Sequence, residues 1–142
     1  NGDTAAANAL DDYEEGTWSP NVGGNASYTT QNGTYVKVGK MCTASCEMQI
    51  NAIGNAGSYG TLQQVRGLPF TAIASPTLAS SAAVGYASGL SSSFIALTFR
   101  VDNNSTNVLT TSMVSAATTS RTSENLWTSG SRVLFSITYV TT

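Results

Sequence analysis

Hydrophobic and polar positions alternate with a period of two along most of this chain, and nowhere does a helical period persist. The clearest case is Met41 to Ile50. Cys42, Ala44, Cys46, Met48 and Ile50 fall on one side, with Thr43, Ser45, Glu47 and Gln49 on the other, which predicts a strand with one buried and one wet face. Arg132 to Val140 repeats the pattern with Val133, Phe135, Ile137 and Tyr139 inward. Phe94 to Val101 does so with Ile95, Leu97, Phe99 and Val101, and the Asp102-Asn103-Asn104-Ser105 turn joins it to Val108–Val114 as a hairpin.

Shorter extended segments are expected at Tyr28–Thr30, Thr34–Val38, Thr61–Arg66 and Ala82–Tyr86. Asn32-Gly33 is a strong two-residue hairpin signal, and Gly39-Lys40 marks the next break. Pro69 cannot donate to a ladder and holds Leu68 extended, so Gly67-Leu68-Pro69-Phe70 predicts a strand end or edge. Residues 51–60 and 116–130 are polar connectors, containing Tyr59 in the first and Trp127 in the second. Helix is predicted only near the N-terminus, where Asn8 caps a turn with Asp11 and Asp12 at its positive end, Leu10 and Tyr13 on one side and Gly16 as its stop. The fold class expected is all-β, an antiparallel, jelly-roll-like sandwich over residues 10–142, behind a connector at 1–9 and a short helical turn.

Composition narrows this further. The 142 residues suffice for one core, and 41% hydrophobic content spread over short runs argues against disorder although only 10% of the chain is charged. No apolar run approaches the roughly 18 residues a membrane helix needs. The net charge of −2 offers no footprint for nucleic acid. That charge is unevenly spread: Asp3, Asp11, Asp12, Glu14 and Glu15 precede every base, and the body beyond them carries a net +3. The chain starts at Asn1 without a methionine, as expected of a piece of a longer protein.

The acidic stretch is the first candidate for chemistry. Calcium seeks six to eight oxygens, but the Asp-x-Asp-x-Asp-Gly spacing is missing, so a structural cap anchored by Leu10, Tyr13 and Trp18 is favoured over a metal site. A glycosidase pair needs carboxylates facing each other from separate elements, and neighbours on one turn do not. Cys42 and Cys46 share a strand face but lie about 13 Å apart, beyond disulfide reach, and read as small buried hydrophobes. With no histidine in the chain, the usual base of a nucleophilic triad and a closed zinc site are both unsupported. No catalytic residue, metal or cofactor is expected. Glycan recognition is the remaining candidate, through Tyr59, Trp127 and the Asp102, Asn103 and Asn104 turn, with packing in the core or between subunits as the alternative for Trp127.

The order of segments is itself informative. Leu10-Asp-Asp-Tyr-Glu-Glu-Gly-Thr-Trp-Ser-Pro20 is followed by Gly33-Thr-Tyr-Val-Lys-Val-Gly-Lys40, Arg66-Gly-Leu-Pro-Phe70, Ala83-Val-Gly-Tyr86 and Phe135-Ser-Ile-Thr-Tyr139. This resembles a C-terminal domain of bacteriophage tail fibres and tail spikes that opens with an LDDYEEGTWTP-type segment. Ser19 stands where threonine is commoner. The resemblance implies a non-enzymatic virion protein, assembled in the bacterial host cytoplasm, at the distal end of a fibre or spike. It implies a homotrimer attached to an upstream shaft and contacting a bacterial surface polysaccharide, without membrane insertion. A trimerisation cap, a head fibre or capsid decoration, and an accessory domain of a polysaccharide-degrading spike are the alternatives.

Overall fold

A computed structural model describes residues 12–56, 64–74, 80–91, 94–113 and 126–142. Among these residues eight strands run β1 Tyr13–Trp18, β2 Ser27–Val38, β3 Met41–Ala52, β4 Gln64–Arg66, β5 Ser81–Ser88, β6 Ala96–Val101, β7 Asn107–Met113 and β8 Arg132–Val140. They form two antiparallel sheets, one of five strands in the order β1-β2-β3-β8-β5 and one of three in the order β4-β7-β6. The all-β sandwich is therefore the observed architecture. Among the described residues the sandwich divides into five strands and three.

β3 and β8 form the middle of the large sheet, paired from Met41↔Val140 to Gln49↔Arg132. Their inward rows, Cys42 to Ile50 and Val133 to Tyr139, are buried as their alternation predicts. Against them β6 and β7 bring Phe99, Val101 and Val108, with Phe99 edge-on to Phe135 at 4.9 Å and 84°. Ile95 departs from its expected inward place. It precedes β6 and is 62% exposed.

Two local expectations are overturned by pairing. Tyr13–Trp18 is a strand, not part of a helical turn, because all six residues pair with Gly33–Val38. Gly16 thus sits within a strand and stops nothing; the expected cap at Asn8, the side chain of Leu10 and the connector at 1–9 lie outside the described residues. Asn32-Gly33 is no hairpin either, since β2 runs through it unbroken. The turn falls at Gly39-Lys40, where Val38 pairs with Met41 and Gly39 has φ 56°, the glycine-first arrangement of a two-residue hairpin.

Among the described residues β1 is an edge strand of the large sheet. Glu14 and Glu15 place charge on it, a common guard against edge-to-edge addition. Among the described residues no helix is long and apolar enough to cross a membrane.

Candidate functional site

The acidic N-terminal motif and the Gly33–Lys40 motif are two halves of one ribbon. In register, Trp18 faces Gly33, Gly16 faces Tyr35 and Glu14 faces Lys37 on the inner side. In the first two pairs the aromatic side chain meets the glycine. The Trp18 indole lies across Gly33 so closely that a Cβ there would stand 2.5 Å from its Nε1, and this N–H donates to the Ser45 carbonyl on β3 at 3.0 Å. Tyr35 covers Gly16, where a Cβ would be 2.9 Å from its ring, and donates its hydroxyl to Glu14 at 2.8 Å. Lys37 then sits over the ring of Phe70 at 5.3 Å, and that ring meets Tyr35 edge-on at 5.2 Å. Neither glycine has a positive φ, so both serve close approach and not a turn.

Trp18 is 7% exposed and belongs to the core. Tyr13, expected to anchor the cap beside it, does not. Strand alternation turns it to the outer side, where it is 45% exposed and donates to Glu15. Glu14 and Glu15 therefore have tyrosine hydroxyls as partners, and both tyrosines have their hydroxyl pKa raised by that hydrogen bond to a carboxylate.

The glycan candidates do not converge. Tyr59 lies outside the described residues. Asp102, Asn103 and Asn104 form the β6–β7 turn, closed by Asp102 N–H to the Asn107 carbonyl at 2.8 Å, with Asn103 and Asn104 exposed and Asn104 at φ 50°. That turn adjoins the end of the sandwich where Ala72 N–H reaches Ser105 and pairs with Thr141. Trp127 belongs to a segment fastened to the opposite end, where Gly130 N–H meets the Ile50 carbonyl. At 1% exposure and 6.4 Å from the Phe99 ring, Trp127 is a core residue, and no surface ligand reaches it.

Cys42 and Cys46 are buried and unbridged. Burial raises both thiol pKa values, Cys46 most of all. A thiol-specific alkylating agent at pH 8 is expected to modify neither until the protein unfolds; labelling of the native state would contradict this placement.

What the fold does assemble is the outer face of the large sheet. Thr17, Thr34, Ser45, Ser136 and Ala83 pair in sequence across β1, β2, β3, β8 and β5, one row of small side chains over all five strands. Three shallow, open hollows of ≈ 390, ≈ 190 and ≈ 380 Å³ lie along this row; neighbouring hollows share Asn32 and Thr34, then Ser45 and Cys46. The next row, Asn32, Glu47, Leu134 and Tyr86, forms one bank. There Arg132 pairs with Glu47 at 2.7 Å and lies 5.8 Å from the centre of the 48%-exposed Tyr86 ring. Of the large apolar side chains exposed among the described residues, all but Ile95 lie on this face. Sequence reading missed it because its residues meet only through strand register.

The crystal structure of Dettilon tailspike protein matches 92% of this chain with a TM-score of 0.66 at 12% identity. The two share a fold. The match spans 24% of the tailspike chain, so it concerns one part of that protein. No protein-family profile matches the sequence, and no curated protein matches it.

Proposed function

We propose that this chain is a domain of a phage tail fibre or tail spike, assembled as a homotrimer at the distal end of a shaft and contacting a host-surface glycan. The observation that carries the reading is the sandwich shared with a tailspike. The ribbon joining the opening segment of the resemblance to its Gly33–Lys40 segment supports it. The role is assembly and binding, without catalysis. Assembly has a suitable surface near the Gly39-Lys40 turn, where Tyr13, Val38, Met41 and Val140 pair across four strands with Val36 nearby, and Tyr13, Val36, Val38 and Met41 are each 41–49% exposed. This strip also favours the second reading, a trimerisation cap without receptor contact.

Light scattering after size exclusion is expected to give three times the 14.7 kDa of one chain at micromolar concentration. Val38→Lys should shift the population to monomer, because a desolvated lysine without a partner opposes association. A stable wild-type monomer would contradict the reading.

A further inference from the structure

We infer that the row of small side chains crossing the outer face of the large sheet is the seat of an extended, neutral polysaccharide chain. This rests on the proposed role in host attachment and assigns the contact to a surface away from Trp127 and the Asp102–Asn104 turn.

The shape comes first. At about 4.8 Å between strands, a row over five strands is roughly 19 Å from first strand to last. It is floored by side chains no larger than threonine. Beside Ala83 the hollow is lined by Gly85, which adds no side chain and lies at the bulge between Val84 and Tyr86. A linear chain fits such a trough better than a compact ligand.

The chemistry agrees. Thr17, Thr34, Ser45 and Ser136 offer hydroxyls that donate or accept, at intervals of one strand. On the bank the Tyr86 ring offers an apolar face, and Asn32 offers an amide. Glu47 and Arg132 remain 36% and 42% exposed while neutralising each other, so hydroxyl pairs are served without a demand for ligand charge. These are the groups that sugar recognition uses: a ring for the C–H face, and polar groups with spare capacity for the hydroxyls. A second protein copy is better suited to the strip around Val38 and Met41, where the exposed side chains are larger and apolar.

The test is binding of the fluorescently labelled protein to an array of purified bacterial O-polysaccharides and capsular polysaccharides, neutral and acidic. Three variants accompany the wild type: Tyr86→Ala, Thr34→Trp and Asn103→Ala. Positions 34, 86 and 103 are all exposed, and melting curves check folding. Binding to a neutral polysaccharide that falls roughly tenfold or more in Tyr86→Ala and Thr34→Trp, and is unchanged in Asn103→Ala, supports the trough. Binding undiminished in both trough variants overturns the trough and leaves host attachment standing. Binding confined to acidic polysaccharides overturns the neutral ligand. No binding to any polysaccharide by an intact trimer overturns the trough and the attachment role together. Loss of the trimer in a well-folded Thr34→Trp makes this face an interface between copies, which also overturns the trough.

Discussion

Replacing Gly33 with alanine is expected to cost about 2–4 kcal/mol of folding stability, a large share of the roughly 5–15 kcal/mol of an ordinary domain. The new methyl would stand 2.5 Å from Trp18 Nε1, 2.6 Å from its Cδ1 and 2.6 Å from its carbonyl oxygen. None of these is the free end of a flexible side chain. The indole is clamped between the core and the Ser45 carbonyl, and the carbonyl belongs to the paired strand. Relief therefore requires β1 to lift from β2 or the indole to leave its hydrogen bond. Urea unfolding followed by tryptophan fluorescence should show the midpoint fall with little change in slope. Gly39→Ala, whose Cβ would meet nothing within 4 Å, provides the control for a glycine without close neighbours. Its own cost comes from φ 56° and not from contact.

The second large effect is expected at Trp127. Truncation to alanine should destabilise by about 3–5 kcal/mol, the range for large aromatic residues removed from a packed interior. The ring is covered on all sides, tilted against Phe99, which in turn stands on Phe135. Its loss removes the ring packed against Phe99 in the core. A surface ring engaged with sugar would behave differently, leaving the melting temperature in place and removing only glycan binding. Calorimetry of Trp127→Ala separates the two outcomes.

The strands that sequence reading placed well are those with one wet face. β3 and β8 alternate between buried and more exposed positions over nine or more residues, with mostly polar side chains on the outer side, so the face each residue presents was legible residue by residue. The β6–β7 hairpin was legible from Asp102–Ser105 for a similar reason: local turn chemistry and tertiary pairing agree. Around Gly33 they conflict. An asparagine-glycine pair favours a turn when considered alone, yet here the missing side chain admits the Trp18 indole from a strand fifteen residues earlier. The run Asp11 to Glu15 misleads in the same way, because carboxylates before apolar residues mimic a helix start, and only a waiting partner strand makes Tyr13–Trp18 extended. The outer trough was illegible. Threonine, serine and alanine on separate strands have no signal of their own until β1, β2, β3, β8 and β5 are set side by side.

The two motifs fold as one clasp, with Trp18 seated through the gap at Gly33. A double-mutant cycle of Trp18→Ala and Gly33→Ala, measured by denaturant unfolding, tests it most directly. Non-additivity is expected: once the indole is gone the methyl at position 33 loses two of its three close contacts, the Trp18 carbonyl at 2.6 Å remaining, and the second substitution should cost at least about 1 kcal/mol less than it does in the wild type. Additive costs would mean that the indole and the glycine do not meet, and would contradict the clasp.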